Sequence, residues 1–74
     1  MFLTGTIKDM KDIQHMNRVA SEQPFEVYVS CDSTLVDCRS FVNLFPLIGK
    51  EVNIVVEDDV DNKAFKKMFK KMRI

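Results

Sequence analysis

Cys38 to Val56 reads C-R-S-F-V-N-L-F-P-L-I-G-K-E-V-N-I-V-V, and this stretch decides the fold. After Ser40 comes a dense apolar run, Phe41, Val42, Leu44, Phe45, Leu47 and Ile48, which predicts a short helix from Phe41 to about Ile48. A serine hydroxyl can accept from the free amides of a first helical turn, which suits Ser40 to the capping position. Pro46 falls beyond that turn and should kink or tighten the helix end. Gly49 fits the left-handed residue that terminates a helix. Glu51 to Glu57 then alternates, with Val52, Ile54 and Val56 set to point inward as in a half-buried strand.

Working outward, Phe2 to Lys8 also alternates, with Leu3, Gly5 and Ile7 on one face. Asp9 is placed to cap a helix whose stripe is Met10, Ile13, Met16, Val19 and Ala20, and Asp12 adds negative charge where the helix dipole favours it. That helix should run to about Glu22, because Pro24 pushes the residue before it out of helical geometry. Phe25 to Cys31 and Thr34 to Cys38 flank Asp32-Ser33 and predict a hairpin in which Val29 faces Val36 and Cys31 faces Thr34. The two cysteines are then not cross-strand partners. No disulfide is expected, and Cys38 reads as a small buried apolar residue. The acidic turn Asp58-Asp59-Val60-Asp61 leads into a last helix with Ala64, Phe65, Met68 and Met72 on one face and lysines on the other.

The order is strand, helix, strand, strand, helix, strand, helix. One four-stranded antiparallel sheet covered on one face by three helices buries every apolar stripe, which is the α+β solution for such a pattern. Residues 1–74 make one small domain with a thin stability margin. Eleven cations balance eleven carboxylates, which argues against a generic nucleic-acid or membrane binder acting through bulk charge. The balance is uneven along the chain. The last fourteen residues hold Lys63, Lys66, Lys67, Lys70, Lys71 and Arg73 against Asp61 alone, while the first sixty hold ten carboxylates against five cations. No signal segment opens the chain and no apolar run is long enough to span a bilayer, so a cytoplasmic protein is the expectation. No metal-ligand spacing links the cysteines to the lone histidine, and no cofactor is implied.

The S-F-V-N-L-F-P-L-I-G-K run with its following strand, set in this element order, resembles HPr, the histidine-containing phosphocarrier of the bacterial sugar phosphotransferase system. The resemblance implies an open-faced βαββαβα sandwich. It also implies that Ser40 stands at the family's regulatory phosphorylation site, and that Phe41, Val42 and Phe45 stand on its partner-docking surface. The family's phosphoryl carrier is a histidine at the start of the first helix, in G-x-H-A-R-P. Counting back from Ser40 without gaps places Asp9 at that histidine, Met10 at the alanine, Lys11 at the arginine and Asp12 at the proline. The nucleophile is missing, two carboxylates there would repel a phosphate, and Lys11 offers a point charge instead of a fork. In this respect the chain resembles the regulatory HPr paralogue of catabolite repression, which lacks the histidine and keeps the serine.

Each candidate has a plainer reading beside it. Ser40 has a sufficient structural job as a cap, and Arg39 beside it could pair with a phosphate there. The helix after Ser40 could simply be wedged into the core, although so short a helix cannot bury all of its apolar residues. Asp9 and Asp12, considered as a metal or acid–base pair, lack a third ligand and are explained by capping. His15, with Met16, Asn17 and Arg18, loosely matches the carrier motif. Using it would shorten the first helix and expose Met10 and Ile13, so it reads as a solvated residue in mid-helix. The lysine face has no aromatic residue in it and is expected to be solvated, which makes a nucleic-acid or membrane partner an unlikely one. The sequence therefore points to a non-enzymatic HPr-like regulator or adaptor. It would dock a partner of the phosphotransferase or carbon-control system through its second helix. The alternatives are a carrier using His15 and an accessory acting through the basic helix.

Overall fold

The computed structural model describes all 74 residues. Strand β1 (Phe2–Thr6) leads to α1 (Met10–Ser21), the hairpin β2 (Tyr28–Cys31) and β3 (Thr34–Asp37), a short α2 (Phe41–Leu44), β4 (Glu51–Val55) and α3 (Asn62–Met72). The strands form one antiparallel sheet in the order β1-β4-β2-β3. This is the α+β open sandwich that the sequence predicts.

Registers follow the hydrophobic alternation. Leu3, Ile54, Val29 and Val36 form one row across the sheet. Ile54 and Val29 are closed from solvent, as are Val52 and Val56 on the same face. The helices cover this face with Ile13, Met16, Val19, Leu44, Phe65, Met68 and Met72, all buried. The opposite face stays open: the row Phe2, Val55, Tyr28 and Asp37 points away from the helices, and Phe2 is exposed.

Two backbone positions need their residue type. Gly49 takes φ 87° with open space around it, so its missing side chain serves conformation and not packing. Its amide donates to the Ile7 carbonyl at 2.6 Å, tying the end of the α2 region to the residue just after β1. Gly5 serves close approach instead. A Cβ there would lie 2.8 Å from Ile74 Cγ1 and 2.9 Å from the Ile74 carbonyl carbon, so the last residue packs on bare β1 backbone.

Three local expectations are corrected. The second helix is not continuous to Ile48: α-helix ends at Leu44, a 3-10 turn covers Phe45–Leu47, and Ile48 is already extended. Pro46 has no amide to donate back into an α-helical ladder, which accounts for the tighter turn. Strand β2 begins at Tyr28 and not at Phe25, because β4 ends at Val55, opposite Tyr28, and leaves earlier residues without a partner on that side. Strand β1 ends at Thr6, with Ile7 still buried.

Candidate functional site

The start of α1 is where the sequence resemblance to HPr puts the missing carrier histidine, at Asp9. Asp9 is the N-cap, and its Oδ1 accepts from the Asp12 amide at 3.1 Å. Asp12 reaches back and accepts from the Lys8 amide at 2.8 Å, with Lys8 Nζ 3.2 Å from the same oxygen. Burial pushes the Asp12 carboxyl up, but the Lys8 amide and ammonium and the Asp9 amide together outweigh it, and the net shift is downward. The Lys8 and Asp12 amides are thus occupied by the chain's own carboxylates. Lys11 is exposed and pairs with no carboxylate. No hydrogen bond or ion pair of Asp9 or Lys11 reaches α2.

His15 is not the solvated residue that the sequence predicts. Its Nε2 lies 2.6 Å from the Lys71 carbonyl oxygen, near the end of α3, and its Nδ1 lies 3.1 Å from Arg18 Nη2. A carbonyl only accepts and a guanidinium only donates, so Nε2 carries the proton and Nδ1 is the acceptor. Both ring nitrogens are engaged within the protein. No sequence pattern announces this contact, because it joins residues far apart in the chain.

Ser40 stands at the N-cap of α2 with extended backbone, but its hydroxyl makes no capping hydrogen bond. The expected side-chain cap is absent; the Asn43 amide bonds instead to the Ser40 main-chain oxygen at 3.1 Å. Arg39 is also committed elsewhere. Its Nη2 lies 2.6 Å from Glu26 Oε2 and 3.1 Å from Asp37 Oδ2, and Asp37 also accepts from the Arg39 amide at 2.9 Å. The Arg39 guanidinium holds the Asp37 carboxyl below its usual range. Asn17 donates to the Arg39 carbonyl at 2.6 Å and fixes the entry to α2 against α1.

The short helix sorts its apolar residues at intervals of three. Leu44 and Leu47 are buried, and Phe41 is half-buried. Val42 is 74% exposed, with Phe45 and Ile48 at 39% and 37%. Phe41 and Phe45 meet edge-to-face, ring centroids 5.3 Å apart at 82°. Such edge-to-face pairs add to the energy of area burial and favour this arrangement of the two rings. The structure thus brings Phe41 and Phe45 together, leaves Val42 prominent beside them, and adds Ile48, whose exposure follows from the chain turning extended there.

Cys31 and Cys38 are both free, as the hairpin register predicts. Burial, with a smaller contribution from the Asp37 charge, pushes the Cys38 thiol up to about 12. It is a packing residue and not a nucleophile.

No helix is long and apolar enough to cross a membrane. No protein-family model and no curated protein matches this sequence. Among solved structures the chain is similar to the crystal structure of HPr-C-His from Thermoanaerobacter tengcongensis, with 20% identity and a TM-score of 0.76 over 99% of this chain and 91% of that one. At that level of identity the likeness establishes architecture: the scaffold that carries Ser40 and the apolar patch has the fold of HPr.

Proposed function

We propose that this chain is a regulatory or adaptor domain that docks a protein of the sugar phosphotransferase or carbon-control system through Phe41, Val42 and Phe45. The observation that carries this reading is the patch itself. Val42, Phe45 and Ile48 face solvent on one short segment, with Phe41 half-buried beside them, while Leu44 and Leu47 are buried, so the core accounts for only half of the apolar run. The HPr architecture supplies the choice of partner class, and that choice is an argument by analogy of fold.

The domain does not carry phosphate on histidine in this reading. Asp9 and Asp12 fill the start of α1, and carrier chemistry through His15 would first have to break its bonds to Lys71 and Arg18. Ser40 is the position at which docking is switched. Its hydroxyl is not held by the helix, and it immediately precedes Phe41. A phosphate there brings about two negative charges next to Arg39 and competes with Asp37 and Glu26 for its guanidinium.

Intact-mass measurement after two separate incubations tests the reading. One incubation uses the general phosphotransferase enzyme with phosphoenolpyruvate, the other the HPr serine kinase with ATP. A single phosphate from the kinase, mapped to Ser40, is the expected result. Acid-labile label on His15 would restore the carrier reading. Docking is tested by Phe45→Asp, which should abolish partner binding; unchanged binding would remove the patch from consideration.

A further inference from the structure

The outer face of α3 is the strongest charge feature of the molecule. Lys63, Lys66, Lys67, Lys70, Lys71 and Arg73 are all exposed. At 3.6 residues per turn they sweep roughly 160° of the helix, opposite the buried Phe65, Met68 and Met72. No carboxylate interrupts Asn62 to Arg73, and none of the six cations takes part in an ion pair.

Glutamates four residues from such lysines would stabilise the helix. Here like charges stand four apart at Lys63 and Lys67, Lys66 and Lys70, and Lys67 and Lys71, and each such pair disfavours the helix. The negative end of the dipole compensates Lys70 and Lys71 but not Lys63 and Lys66, which lie near the positive end. Glu22 of α1 lines a shallow cleft with Lys67 and Lys71, but no carboxylate pairs with any of the six cations, and an external anion would relieve the repulsion among them.

Shape and boundaries select the anion. The patch is about 15 Å long at 1.5 Å per residue, and the exposed Asp58, Asp59 and Asp61 close one end of it. A bilayer lying flat against α3 would meet those carboxylates as well. Most of the apolar side of α3 is closed in the core, with Phe65 and Met68 at 1% exposure, Met72 at 0% and Phe69 half-buried, so the helix keeps little apolar surface to insert into lipid. A phosphodiester backbone is narrow enough to lie along the exposed cations without meeting the carboxylates at the end of the patch. We infer that α3 is a nucleic-acid-binding face that contacts phosphates without reading bases. This surface is separate from the apolar patch, and its role does not depend on the docking function.

The test is fluorescence anisotropy with a labelled 20-base-pair DNA duplex of mixed sequence, titrated at several salt concentrations. Binding at 50 mM salt is expected, with log K falling against log salt at a slope of about −4 to −5, as for about five neutralised phosphates. Replacing Lys66, Lys67, Lys70 and Lys71 by Gln should weaken binding at least tenfold and flatten the slope, with the circular dichroism spectrum unchanged. Val42→Asp should leave DNA binding as it was. Absence of binding at 50 mM salt, or binding that survives the four substitutions, overturns the inference. So would equal or tighter binding to vesicles containing phosphatidylserine, which would assign the face to a membrane.

Discussion

His15 Nε2 lies 2.6 Å from the main-chain oxygen of Lys71, so a side chain of α1 is bonded to the backbone of α3. The contact ties together two of the three helices over the sheet, and it uses the carbonyl and not the lysine side chain. His15→Ala should therefore cost about 1 kcal/mol, the usual net value of one such bond, and lower Tm by roughly 4–8 °C in a domain of this size. Lys71→Ala should keep the bond and leave stability nearly unchanged. An unaltered urea midpoint in His15→Ala would show that the contact is absent in solution.

Ile74 rests on Gly5, and an added Cβ would come within 2.8 Å of its side chain. Gly5→Ala should destabilise by about 1–3 kcal/mol through overpacking. Because Ile74 Cγ1 is the nearest atom in the way, the side-chain part of the penalty should disappear when Gly5→Ala is combined with Ile74→Gly, while the part from the Ile74 carbonyl carbon at 2.9 Å remains. Chemical denaturation of both single variants and the double variant measures that coupling. Strict additivity would mean that the residue at position 5 is not blocked by the Ile74 side chain.

Neighbouring residues of α2 should behave oppositely. Val42→Asp alters an exposed position and should change stability by no more than about 0.5 kcal/mol. Leu44→Ala opens the core and should cost about 2–5 kcal/mol. Paired thermal melts check this, and a large loss in Val42→Asp would mean that the patch is part of the fold and not free to dock.

Acid and alkali should act on different groups. Asp37, held low by Arg39, adds stability above its ordinary value of 3.8 and loses it as pH falls through the lower folded value. It is partly exposed, so the effect is small. Cys38 works with the other sign. Its folded value of about 12 lies above the ordinary 9.0, so its contribution is complete below pH 9 and is lost as pH rises toward 12, by up to about 4 kcal/mol. Urea midpoints from pH 7 to 11 should fall less steeply in Cys38→Ala. Parallel curves for the two proteins would assign the alkaline loss to other groups.

Local chemistry made much of this architecture legible. Asp9 followed by Met10, Ile13 and Met16 specifies where α1 starts and which side it buries. The alternation around Asp32-Ser33 gives the hairpin register to the residue, and Gly49 marks the left-handed turn. The features that escaped depend on distant partners or on fine geometry. His15 meets Lys71 only after the fold has formed. Whether the Ser40 hydroxyl caps depends on a backbone angle that many serines could adopt, and Arg39 is claimed by Glu26 from outside the motif. The exposed set in the second helix was readable for Val42 and Phe45. Ile48 joined it because the chain turns extended there, just past the 3-10 turn.

The strand order β1-β4-β2-β3 also governs how the chain must assemble. β1 is made first, yet its only neighbour is β4, which is made after most of the chain. Until Glu51–Val55 emerges, α1 and the β2–β3 hairpin can organise, but the amides and carbonyls of β1 have nothing to pair with. Closing that long loop is the slow step expected of non-local pairing, and an unpaired early strand is open to other chains meanwhile. Substitutions that delay β4 docking should therefore raise aggregation during refolding more than equally destabilising substitutions in the hairpin.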